Sequence, residues 1–139
     1  MKKTFPFIIL IAALTAIFFS CNPNDNPSDN TDARTKFEGN WTCNEHSTQN
    51  GNSTFTMNIS LNSGNSSQIY FANLYALGTD KKVYAVVAGN NATIPQQSIG
   101  SYTANGSGSI YSNNTKIDLD YYMNDGADID TCTTVLTKQ

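Results

Sequence analysis

Between Phe37 and Gln139, apolar side chains recur at every second position in short runs, and each run ends in a cluster of Gly, Asn, Asp or Ser. That combination restricts the chain to antiparallel sheet. Period two places one face of a strand in a core and the other in water, and closely spaced turns leave no length for helices or crossovers. Phe55, Met57, Ile59 and Leu61 share one face of the run 54–61; Ile117, Leu119, Tyr121 and Met123 share a face in 116–123, with Asp118 and Asp120 opposite. Val83, Ala85 and Val87 repeat the pattern. Turn clusters at 46–52, 62–66, 78–82, 89–91, 105–108, 112–115 and 124–128 predict strands at 37–45, 53–61, 67–77, 83–88, 92–104, 108–112, 115–123 and 129–138. Pro95 and Gly100 interrupt the fifth, which predicts a bulge or an edge there. Eight strands with short loops bury one face by closing into an all-β, antiparallel up-and-down barrel, which also removes both exposed edges; a β-sandwich is the alternative.

The polarity of the chain is neutral rather than ionic. Asn, Ser and Thr number 18, 13 and 16, whereas 8 Lys+Arg and 11 Asp+Glu give a formal charge of −3. Without a basic surface the chain is not expected to bind nucleic acid. A length of 139 residues fits one small domain and excludes a two-domain enzyme.

Met1-Lys2-Lys3, the apolar run Phe5 to Phe19 and Ser20-Cys21 form a basic, then hydrophobic, then small-residue sequence, the pattern of a cleaved secretory signal. Such a run reaches about 22 Å as a helix against a hydrocarbon core of about 30 Å, so it is poorly suited to remain as a membrane span. The tract resembles a bacterial lipoprotein signal, departing from it at Phe18 and Phe19, where an aliphatic and a small residue are usual. That resemblance implies a lipidated, palmitate-bearing Cys21 and anchorage in the cell envelope at the outer membrane. An ordinary secretory signal with an incidental Cys21 is the other reading. The Asn, Pro, Asp and Ser residues that follow bury too little surface to order themselves. The expected organisation is a signal peptide at 1–20, a flexible tether at 21–36 and a barrel at 37–139.

Phe37-Glu38-Gly39-Asn40-Trp41 resembles the opening of the calycins, the lipocalins and fatty-acid-binding proteins, in which a basic residue of the last strand packs across the tryptophan. Lys138 is the candidate for that position. The region 37–139 is also similar to a group of small Bacteroidetes lipoproteins with a lipocalin-like barrel, through Val83-Tyr84-Ala85-Val86-Val87, Thr93-Ile94-Pro95-Gln96 and Asp130-Thr131-Cys132-Thr133-Thr134. Export places Cys43 and Cys132 in an oxidising compartment. In a barrel that pairs its first and last strands with 43 opposite 132, 41 opposite 134 and 37 opposite 138, the two cysteines are expected to form a disulfide.

The sequence offers little for catalysis. His46, the one histidine, sits in a Ser/Asn-rich turn region without an oxyanion-type glycine motif, and Glu45 at a strand end reads as solvated or inward by parity. Asp118, Asp120, Asp125, Asp128 and Asp130 miss the spacing of a calcium loop because Tyr122 occupies a ligand position. The expectation is a non-catalytic, monomeric protein with no metal or cofactor, binding a small apolar ligand in the barrel mouth near Trp41. Trp41, Phe55, Met57, Ile59, Ile69, Phe71, Tyr121 and Met123 would line that site. The competing expectation is a filled barrel that acts through its outer face, where Tyr70, Tyr84 and Tyr122 point.

Overall fold

The computed structural model describes residues 31–139. The expected signal segment, Cys21 and tether residues 22–30 lie outside the described residues. Eight antiparallel strands run in chain order around a closed barrel: β1 (Gly39–Ser47), β2 (Gly51–Leu61), β3 (Gln68–Ala72), β4 (Lys82–Ala88), β5 (Asn91–Ile99), β6 (Tyr102–Ile110), β7 (Lys116–Asn124) and β8 (Ile129–Lys138). Pairing of β8 with β1 completes the cylinder and excludes the sandwich. The chain reverses direction seven times around one lumen, so the barrel has two ends. The lower holds Trp41 and Lys138; the upper holds Ser47 and Asp130.

Alternation decides what fills the lumen. β1, β2, β3 and β7 send in Trp41, Met57, Ile59, Ile69, Phe71, Leu119, Tyr121 and Met123, all buried, whereas β4, β5 and β6 place the small residues Ala85, Ala92, Ala104, Gly106 and Gly108 among Val83, Ile94, Ile99 and Ile110. Large against small packs the interior without a second layer. The outward positions are mostly Asn, Ser, Thr and Asp. A wall that is apolar inside and polar outside is the reverse of a barrel that spans a bilayer.

The expected seam register is off by four. Trp41 lies opposite Lys138, Cys43 opposite Leu136, and Ser47 opposite Cys132. An even shift keeps every side chain on its face, so both cysteines still point inward, but it separates them by about 13 Å along the seam. A disulfide is unreachable at that separation, and both thiols are free and buried. The register is held where Lys138 Nζ sits 5.2 Å from the Trp41 ring centroid and donates to the Lys36 carbonyl at 3.2 Å. Burial and the neighbouring Glu45 push both thiols up to about 12. In the Cys21→Ser chain neither is expected to react with iodoacetamide in the native state, and both should be alkylated after denaturation without reductant, read as two adducts by intact mass.

Three local expectations also change. Gly106 and Gly108 lie inside β6, not in a turn; the reversal falls at Gly100, which adopts φ +58°. The predicted third strand stops at Ala72, and Leu74–Ala76 form a short 3-10 turn with left-handed backbone at Asn73, Tyr75 and Ala76. Residues 32–37 are folded, so the ordered domain begins ahead of Phe37. The bulge expected near Pro95 is present, as a register shift between Ile94 and Gln97.

Candidate functional site

The lower end is shut. Phe37 is fully buried beneath the strands, and its carbonyl accepts the Trp41 Nε1–H at 2.8 Å. The turn that carries Phe37 is pinned by Arg34, a residue of the segment 21–36 expected to be a flexible tether. Its Nη1 donates to the carbonyls of Asn62, Asn65 and Gln68 at 3.1, 2.8 and 3.0 Å, while Asp32 holds its other face. One guanidinium thus satisfies two carbonyls of the β2–β3 loop and the first of β3, and fixes the plug to them. The expected ligand mouth near Trp41 is therefore the closed base of the barrel.

The upper end carries the polar chemistry. Glu45 is inward and buried, accepting hydrogen bonds from the Tyr121 and Thr134 hydroxyls. Burial raises its carboxyl above the ordinary range, against the lowering effect of those two donors. Asp130, also buried, accepts from Ser47 Oγ at 2.5 Å, Tyr75 Oη at 2.7 Å, Thr48 Oγ1 at 2.9 Å and the Gln49 amide at 3.1 Å. Burial alone would raise this carboxyl, but the donors outweigh it and hold it down at about 2. Tyr75 reaches Asp130 from the β3–β4 loop, and its ring meets Tyr102 and Tyr121 edge-on at 5.6 and 6.5 Å. The loop is thereby latched across the opening. Burial and the acidic partner raise the hydroxyls of both Tyr75 and Tyr121, so both stay protonated as donors.

The two acids respond to pH with opposite sign. A raised carboxyl costs nothing below its unfolded value of about 4.5 and increasingly destabilises the fold as pH rises through the folded value. Glu45→Gln should therefore melt higher than wild type at pH 7, with the difference vanishing near pH 4. Thermal melts between pH 3 and 8 measure this.

Of the residues expected to line a ligand site, Trp41, Met57, Ile59, Ile69, Phe71, Tyr121 and Met123 are fully buried against one another and Phe55 partly so. They form the core that fills the lumen. His46 is exposed on β1 and bonded to Asn52. Asp118 and Asp120 face out on β7, Asp125 closes the 124–128 turn by accepting the Ala127 and Asp128 amides, and Asp130 faces in. They form no common cluster. Tyr70 and Tyr84 pair across β3 and β4, half-buried, while Tyr122 stands 44% exposed on β7. Open grooves lie on the outer wall. One of about 460 Å³ is bounded by Gln96, Thr103, Asn105, Tyr122, Asn124 and Thr131.

Fold and site together define a closed eight-stranded antiparallel up-and-down β-barrel with a packed lumen. No family model matches the chain, and no curated protein does. Among solved structures it is similar to a redesigned beta barrel (TM-score 0.57, 14% identity, covering 78% of this chain and 96% of that one). It is also similar to EF1p2_mFAP2b bound to DFHBI (TM-score 0.55, 16% identity, covering 78% of this chain and all of that one). Likeness at this identity establishes the barrel fold.

Proposed function

We propose that the chain is an exported, non-catalytic lipoprotein of the cell envelope, held to the outer membrane through Cys21, whose barrel works as an interaction module through its outer wall. One observation carries this reading: the lumen is occupied by the chain's own side chains from Phe37 at the base to Tyr75 at the top, so recognition falls to the exterior. The resemblance of the leader to a lipoprotein signal supports the anchor. The absence of a nucleophile–base pair around the buried acids, whose partners are hydroxyls and amides, supports a non-enzymatic role.

A second reading, a small apolar ligand admitted beneath the Tyr75 loop, is favoured by the similar barrel that binds DFHBI. Organic extracts of the Cys21→Ser full chain, analysed by mass spectrometry, test between the two. An empty extract, with Trp41 fluorescence unmoved by fatty acids, is the expected result; a stoichiometric co-purifying molecule would overturn the filled-lumen reading. Labelling of wild type, and not of Cys21→Ser, by an alkynyl palmitate tests the anchor.

A further inference from the structure

We propose that the outer face of β6 and β7, flanked by β5 and β8, is a binding strip for a neutral polysaccharide, with Tyr122 as its stacking platform. This rests on the outer-wall reading above and names the class of partner that wall would take.

The first argument is the state of the polar side chains. On other parts of the exterior some cross-strand neighbours bond one another: Thr54 to Asn44 at 3.1 Å, Asn58 to Asn40 at 2.9 Å, Ser109 to Asn91 at 2.7 Å and His46 to Asn52 at 2.7 Å. No such pair occurs in the groove around Tyr122. Gln96, Thr103, Asn105, Thr131 and the Tyr122 hydroxyl make no side-chain hydrogen bond among the described residues, so donors and acceptors of both kinds are left facing solvent. Tyr122 stands between Asn105 on β6 and Thr131 on β8, its direct cross-strand partners, with the ring 44% exposed.

The second argument is the match of that set to one chemistry. The C–H face of a pyranose is apolar and its rim is a ring of hydroxyls. An exposed aromatic ring takes the face, and amides and hydroxyls, each offering donor and acceptor capacity, take the rim. Charge disfavours an anionic polymer: no Lys or Arg borders the groove, whose own lining is uncharged, and the groove that continues along the same strand pair, about 480 Å³, carries Asp118 and Asp120, which would repel an anionic chain. Beside the groove only Tyr122 and Ile129 are large exposed apolar residues, too few for the apolar centre of a protein interface. The two grooves lie end to end along nine-residue strands, about 30 Å, a length suited to an oligosaccharide segment rather than one sugar.

Native electrophoresis of the Cys21→Ser full chain in gels cast with xyloglucan, yeast mannan or laminarin tests this, with alginate as the anionic control. Retardation by at least one neutral polymer, absent with alginate and weakened tenfold or more in Tyr122→Ala, is expected. Asn105→Ala, a second exposed change, should weaken the same polymer. Lack of retardation by all three, or retardation untouched by Tyr122→Ala, would overturn the proposal. Failure of the underlying outer-wall reading is seen separately, as a small molecule in the organic extract of the same protein.

Discussion

Gly106→Ala is expected to destabilise the barrel by about 3 kcal/mol, lowering its melting temperature by roughly 15 °C. A Cβ at this position would lie 2.5 Å from the Asp120 carbonyl oxygen, 2.5 Å from Tyr121 Cβ and 2.7 Å from Tyr121 Cα. These are atoms of the neighbouring strand itself, so no side-chain rotation relieves the contact, and β6 must move away from β7. Tyr121 sits inward at that register, bonded to Glu45, and the displacement reaches the core as well as the sheet. Ser107→Ala, one position along on the exposed face, should change stability by less than about 0.5 kcal/mol. Parallel thermal or urea unfolding of the two variants measures the contrast, and similar midpoints would refute the close-approach role of Gly106.

Asp130→Ala is expected to cost about 3 kcal/mol near neutral pH and to free the β3–β4 loop. The substitution removes one acceptor and leaves the hydroxyls of Ser47, Thr48 and Tyr75 and the Gln49 amide without it. Amide exchange at residues 74–77 should accelerate well beyond that of β7. The pH dependence gives a second readout. A carboxyl lowered to about 2 stabilises the fold fully above its unfolded value near 3.8, and that contribution is lost as pH falls from there through 2. Wild type should lose stability over that interval, and the variant should lack this limb. Tyr75→Phe, which removes a single donor, should cost about 1 kcal/mol and speed exchange in the same loop to a smaller degree.

Strand number, chain order and the facing of most side chains were legible in the sequence because period two is a local property. The seam was not. A slide of four residues leaves Trp41, Cys43, Cys132 and Lys138 on the faces that alternation assigns, so parity cannot choose between the two registers. The Trp41–Lys138 contact makes the choice, and it had a signal: aligning those two residues instead of the cysteines yields the observed pairing. Glycine misled in β6 because one residue type serves two needs, left-handed backbone at Gly100 and close approach at Gly106. The upper-end site was nearly invisible. Tyr75 reads as the tail of a strand, Asp130 as one of several surface aspartates, and Arg34 as part of a polar linker; each acquires its partners only when distant loops meet. Glu45 was readable in part, since its parity with Trp41 and Cys43 points it inward.

The lopsided supply of bulk to the lumen has one more implication. Ala85, Ala92, Ala104, Gly106 and Gly108 thin the wall of β4, β5 and β6 at mid-height, and the opposite strands fill the space they leave. The framework already has the girth of a vessel, and its occupancy is decided by a few bulky groups on one side. Trimming Phe71 or Met57 would hollow it without touching the strand scaffold, so the same architecture could be turned from solid post to container by a handful of codon changes.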